Sequence, residues 1–188
     1  MSIDSQADHQ IVAGARAGAA RPVEVELPVA GFDAFYAREL PRLVTILTAV
    51  TGDRMVAEEL AQEALLRAHQ RWNRISRYDQ PGAWVRRVAL NLASQSRARR
   101  RSEHRAMARA IERGPAVIAE PTDDFWALVR QLPPRQAAAV ALHYLEDRPV
   151  TEVASILGCA EGTAKAHLHK GRATLARLLE HPEAPDGP

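Results

Sequence analysis

Cysteine, aromatic residues, long apolar runs and a net charge are what this sequence has little of. Cys159 is the single cysteine, so no disulfide can form within the chain, which fits a reducing compartment. Aromatics make up 5% of the 188 residues, so a core must lean on Leu, Val, Ile and Ala, a composition that favours helices over a β-sandwich or barrel. No stretch approaches the ~20 apolar residues that a membrane span needs, so no membrane insertion is expected. The first residues show no basic start followed by an apolar run, so no signal peptide is expected, and Asp4, Asp8, Glu24 and Glu26 disfavour a mitochondrial-type leader. The expected location is cytoplasmic.

The formal charge of +2 hides an uneven layout. Arg86, Arg87, Arg97, Arg99, Arg100, Arg101, Arg105, Arg109 and Arg113 crowd one stretch, while Asp53, Glu58, Glu59 and Glu63 crowd another. A basic block beside an acidic block suggests two different partners, one of them a polyanion; the alternative is two solvated helix faces.

Periodicity orders the rest. Residues 1–28 carry no sustained period and read as a disordered lead-in. From Gly31 onward, Phe32, Phe35, Tyr36, Leu40, Leu43, Val44, Leu47 and Val50 recur at spacings of three and four, as one helical stripe requires. Gly52 supplies a left-handed stop and Asp53 a cap for the next helix. That second helix is expected over Arg54 to Trp72, with Val56, Leu60, Ala64, Ala68 and Trp72 on its apolar face. Pro81 suits the first turn of a third helix, which carries Trp84, Val85, Val88 and Leu92, a polar edge of Arg87, Asn91, Ser94 and Gln95, and then the arginine run Arg97–Arg101. Trp84 is expected in the core. Periodicity fades between Ser102 and Asp123, which reads as a linker, helical at its start. Further helices are expected over 124–131, 135–146, 150–157 and 161–180, and no strand pattern or internal repeat is present.

The last two of these are separated by a turn at Gly158, which is helix-turn-helix spacing. Val153, Ala154, Ile156 and Leu157 give the first helix an apolar face, and Ala164, Leu168 and Leu175 hold the second against it. Thr163, Lys165, His167, Lys170 and Arg172 then lie on the outer side, where such residues can meet phosphates and base edges in a major groove. The alternative is an ordinary αα-hairpin with a solvated face. Ala160 stands at the expected cap position, where Ser would serve better.

No catalytic constellation is present: there is no nucleophile–base pair, phosphate loop or metal-ligand cluster. His167 and His169 stand two apart on a helix and cannot share an ion, and Cys159 has no partner at ligand spacing, so no metal or cofactor is expected. Cys159 is expected to serve as a small apolar residue.

The stretch LPPRQAAAVALHYLEDRPVTEVASILGCAEGTAKAHLHKGRATLARLL (132–179) resembles the C-terminal domain of extracytoplasmic-function sigma factors, small members of the sigma-70 family of bacterial RNA polymerase subunits. FDAFYARELPRLVTILTAVTGDRMVAEELAQEALLRAHQRW (32–72) and PGAWVRRVALNLASQSRARRR (81–101) resemble their N-terminal domain. The resemblance covers about three quarters of the chain, in family order. It implies an all-α fold with a sigma-2-like three-helix domain at 29–102, a linker at 103–122, a sigma-4-like helix-turn-helix domain at 123–182, and tails at 1–28 and 183–188.

The implied activity is that of a sigma factor rather than an enzyme, directing core polymerase to promoters and helping to melt the −10 element. Its implied partners are core RNA polymerase, through the coiled coil of the largest subunit and the flap, and promoter DNA; the resemblance leaves an anti-sigma factor open. In the segment AEELAQEA, Glu59, Leu60, Gln62 and Glu63 would bind polymerase. Ile75, Arg86, Arg87, Asn91, Gln95, Arg97, Arg99 and Arg100 would meet the −10 element, with the loop Ile75–Gln80 holding an everted base. Thr163, Lys165, His167, His169, Lys170 and Arg172 would meet the −35 element. Ala166-His167 stands where the family often has Ser-Arg, which implies altered −35 contacts. Two rival readings are a stand-alone helix-turn-helix regulator, which leaves AEELAQEA without a purpose, and a helical protein–protein adaptor with no DNA role.

Overall fold

The computed structural model describes residues 31–110 and 124–180. It is built of α1 (Phe32–Thr51), α2 (Arg54–His69), α3 (Trp72–Ile75), α4 (Pro81–Ala110), α5 (Asp124–Val129), α6 (Pro134–Tyr144), α7 (Val150–Leu157) and α8 (Glu161–Glu180). No strand occurs among the described residues. The expected disordered lead-in and C-terminal tail, and most of the expected linker, lie outside them.

The expected stripe of α1 is the buried one. Phe35, Leu43, Leu47 and Val50 are buried, and Phe32, Tyr36, Leu40 and Val44 pack half-buried beside them. Gly52 ends α1 at φ 78, in the left-handed region, with its N–H donating to the Thr48 carbonyl at 2.8 Å. Asp53 starts α2 by accepting from the Val56 N–H at 3.1 Å, a cap contributing about 1 kcal/mol.

The buried face of α2 differs from the expected one. Ala57, Ala61, Ala64, Leu65 and Ala68 are wholly buried, whereas Val56 and Leu60 are half-buried. The stripe is turned toward the alanines because four small side chains let α1 and α4 approach closely, which bulkier residues would prevent. The expected single helix to Trp72 also breaks at Gln70-Arg71, leaving α3 as a separate turn. Helix α4 continues to Ala110, beyond the point at which apolar periodicity fades.

In the C-terminal part, α7 and α8 begin and end where spacing placed them, and Gly158 joins them at φ 66. Helix α6 is a run of buried residues from Ala137 to Leu142. The two parts do not stand separate. Their buried side chains form one contiguous apolar cluster, with α1 against α5 and α6 and α4 against α7.

Candidate nucleic-acid interface

Three surfaces hold the residues singled out from sequence. The first is the outer face of α2. Glu59 and Gln62 are exposed, and Glu63 pairs with Arg67 one turn on at 2.7 Å. Leu60 is half-buried against the core rather than presented outward. Beside these residues runs a groove lined by Phe32, Tyr36, Leu65, Leu66 and His69. Leu66 is 51% exposed there, an apolar side chain next to carboxylates. The sequence reading passed over it; the available signal was a leucine that the inward stripe does not use.

The second surface surrounds the start of α4. Tyr78, Asp79, Gln80, Ala83 and Trp84 line a pocket with Arg77 and Arg87 at its edge. Trp84 is half-buried and contributes one wall, so it serves both core and pocket. Tyr78 is a further ring that the sequence reading did not single out. Asn91 and Gln95 are exposed one turn apart on the same edge of α4 as Arg87.

Several expected −10 contacts are placed otherwise. Ile75 is 1% exposed and belongs to the apolar core, not to a surface. Arg86 is 2% exposed. Its Nη1 donates to Glu39 Oε2 and its Nε to Glu146 Oε2, each at 2.7 Å. A guanidinium enclosed by two carboxylates is spoken for, and in this arrangement neither Ile75 nor Arg86 can reach a nucleic acid. Burial pushes the Glu39 carboxyl up, but the Arg38 hydrogen bond and the Arg86 charge outweigh it and hold the group below its ordinary value.

Arg87 is exposed, yet its guanidinium is engaged at the carboxyl end of α7. Its Nε donates to the Ile156 carbonyl at 3.0 Å and its Nη2 to the Ser155 carbonyl. Arg135 caps the same helix end through Leu157 O at 2.7 Å. The last carbonyls of a helix have no partner within it and carry the negative end of its dipole, so they are ready receptors for guanidinium. Arg97 donates through Nη2 to the Arg130 carbonyl, and burial followed by its neighbours Arg101 and Arg130 lowers its pKa. Arg99 pairs with Glu103 at 2.8 Å and Arg100 lies 3.8 Å from Asp53, both at the surface.

The third surface is α8. Its buried side is Ala164, Leu168, Gly171 and Leu175. Gly171 is required by closeness: a Cβ there would lie 3.0 Å from Val140 Cγ2 of α6. The outer residues form two edges. Thr163, His167 and Lys170 share one, with His167 half-buried; Lys165, His169 and Arg172 share the other. Lys165 pairs with Glu161 at 2.7 Å, and Arg172 lies over the Tyr144 ring at 5.4 Å. No group of three potential metal-binding side chains occurs among the described residues.

The arrangement is that of an all-helical protein with a helix-turn-helix and a second helical unit bearing an acidic face. The Sigma-70 region 2 family matches residues 35–103, and the Sigma-70 region 4 family matches residues 122–175. The chain is 31% identical to the RNA polymerase sigma-E factor of Streptomyces avermitilis, over 71% of this chain and 75% of that one. It is 32% identical to the ECF RNA polymerase sigma factor SigM of Mycobacterium tuberculosis, over 76% of this chain and 72% of that one. Against the sigma factor RfaY of Xanthomonas campestris, 29% identical, the match spans 37% of the relative's length. Among solved structures, the sigma factor RpoE of Bartonella quintana, in complex with the anti-sigma factor NepR, shares the fold. Its TM-score is 0.63 at 22% identity, over 80% of this chain and 97% of that one. The chain belongs to the extracytoplasmic-function sigma factors of the sigma-70 family.

Proposed function

We propose that the protein is a dissociable promoter-recognition subunit of a bacterial RNA polymerase and carries out no chemistry of its own. The observation that supports this most is the order of the two sigma-70 regions along one chain, with an exposed acidic face in the first and an exposed basic helix in the second. Glu59, Gln62 and Glu63 would meet basic residues of core polymerase, with Leu66 filling an apolar contact beside them. The pocket of Tyr78 and Trp84 would take a base from the melted −10 strand, since unstacked bases are captured by rings and edge contacts. Asn91 and Gln95 flank it, and Arg99 and Arg100 would neutralise phosphates.

Helix α8 would enter the −35 major groove with Thr163, Lys165, His167, His169 and Lys170, while Arg172, steadied on Tyr144, would contact the backbone at the groove edge. The functional domains would be 29–102 and 123–182, joined by 103–122, and the setting cytoplasmic. Control by an anti-sigma factor is proposed on family membership alone. A stand-alone helix-turn-helix regulator would leave the acidic face of α2 unused.

Gel filtration of the chain with purified core polymerase tests the reading. Co-elution that weakens with salt is expected. Failure to co-elute, with the same polymerase preparation accepting its resident sigma factor, would reject it.

A further inference from the structure

We propose that residues 23–29, just ahead of α1, lie extended along the groove between α1 and α2 and cover its apolar floor in the free protein. That the cover competes with polymerase rests on the function proposed above; the seat itself rests on connectivity, patterning and charge.

The floor of the groove is apolar and open. Leu66 is 51% exposed, and Phe32 and Tyr36 are half-buried beside it. Apolar side chains gathered at a surface in this way mark a contact site. The groove holds about 730 Å³, the size of a cleft that takes a ligand rather than a single side chain. The first residue of α1 stands at the last residue of α2, with the Phe32 and His69 rings 4.7 Å apart. Phe32 and Asp33 line the groove, and Gly31 precedes them in extended backbone at φ −53 and ψ 159. The chain ahead of α1 is thus delivered to one end of the groove with no linker to span, at an effective concentration on the order of millimolar.

Residues 23–29 lie outside the described residues, but their sequence fits the groove. Val23, Val25, Leu27 and Val29 alternate with Glu24, Glu26 and Pro28. Period two puts the four apolar side chains on one side of an extended chain and both glutamates on the other. Pro22 and Pro28 oppose a helix there and bias Arg21 and Leu27 to extended backbone. From His69 back to Glu59, α2 rises about 15 Å. Residues 23–29 extend to about 23 Å, enough to cover that length. With Val29 beside Phe32, Leu27 falls near Leu66, and Arg21 is carried to the acidic end of α2. Glu59 has no ion-pair partner among the described residues, so Arg21 has a carboxylate to meet. The groove of a second copy is a poor occupant, because Asp33 and Glu59 of each would oppose those of the other.

Polymerase docking on Glu59, Gln62 and Leu66 must displace the cover. A cover present in about nine molecules of ten lowers apparent affinity about tenfold. Glutamyl endopeptidase cuts after Glu24 and Glu26 only where the surrounding chain is free, so its rate reads the seat. The full-length wild type is compared with Leu66→Ser, which strips the floor, and with Leu179→Ser, the same change at an exposed leucine of α8. Mass spectrometry identifies the cuts, circular dichroism verifies folding, and light scattering gives the oligomeric state. Affinity for core polymerase is measured for wild type, for Val25→Ser/Leu27→Ser, and for Ile11→Ser/Val12→Ser, which makes a similar change upstream of the seat.

Cleavage after Glu24 and Glu26 is expected to be about tenfold faster in Leu66→Ser than in wild type or Leu179→Ser. Val25→Ser/Leu27→Ser is expected to bind polymerase about tenfold more tightly than wild type or Ile11→Ser/Val12→Ser. Equal cleavage of wild type and folded Leu66→Ser overturns the seat. Protection that disappears on dilution, together with a dimer, overturns it in favour of a second copy. Protection with no gain in polymerase affinity overturns the competition. Protection in chains that bind no polymerase in any form rejects the sigma-factor reading and leaves the seat standing. Polymerase binding by chains cut equally fast with and without Leu66 removes the seat and leaves that reading standing.

Discussion

Arg86→Met removes the cation between Glu39 and Glu146 and keeps most of the volume. The two carboxylates then differ in what they can do. Glu146 is 11% exposed on a loop and can turn to water, whereas Glu39 is 5% exposed in the middle of α1 and cannot. Breaking a buried pair by removing one partner costs about 3–5 kcal/mol; with Glu146 able to relax, the low end applies, roughly 3 kcal/mol at pH 7. For a chain of this size that is a fall of about 6–12 °C in Tm.

The pH dependence is the sharper test of the same contact. In the wild type, Glu39 is held below its ordinary value of 4.5, so its contribution is present above that value and is lost as pH falls through the lowered one. In the variant the Arg38 hydrogen bond still opposes burial but the charge and hydrogen bond of Arg86 are gone, so the Glu39 pKa rises above its wild-type position and protonation relieves part of the penalty. Urea denaturation followed by circular dichroism at pH 7 and pH 5 is the assay. The wild-type advantage over Arg86→Met should shrink markedly at pH 5. A loss under about 1 kcal/mol at pH 7, or one equally large at pH 5, would refute the reasoning.

Other expectations follow from single contacts. Gly158→Ala forces an L side chain to φ 66 and should lose about 1–2 kcal/mol in urea melts, with Gly158→Asn losing less; equal losses would remove the left-handed turn as the cause. Asp53→Ala deletes the α2 cap and should cost about 1 kcal/mol, read as a lower urea midpoint at unchanged slope. Leu43→Ala empties a fully buried site under α1 and should cost about 2–5 kcal/mol in the same measurement. Lys170→Ala should weaken duplex binding by α8 and reduce the slope of log affinity against log salt by about one, measured by anisotropy across a salt series.

What sequence reveals here follows the range of each interaction. The turn at Gly158, the cap at Asp53 and the extents of α7 and α8 depend on neighbours within a few residues, and spacing reads them directly. The α2 face was misread by a slight rotation, because hydrophobicity ranks Val56 and Leu60 above Ala57 and Ala61 while close helix packing ranks them the other way. The partners of Arg86 and Arg87 are not legible in sequence for a different reason. Arg86 finds Glu39 at a separation of 47 residues and Glu146 at 60, and Arg87 finds Ser155 at 68. Nothing local distinguishes an arginine destined for a carboxylate in another helix from one destined for a phosphate. Glu39 itself sits at a stripe-like spacing from Phe35 and Leu43, and its burial is legible only once Arg86 is known to face it.

The proposed function requires the α2 face and the surfaces around the start of α4 and on α8 to act together on polymerase and promoter. Run-off transcription with purified core polymerase and a fragment library of host DNA, comparing the native chain with Glu59→Arg/Glu63→Arg, tests it most directly. Specific starts from the native chain, lost in the double variant while its fold is unchanged, are the expected result. Starts that persist undiminished in the double variant, or none from the native chain with an active polymerase, would contradict it.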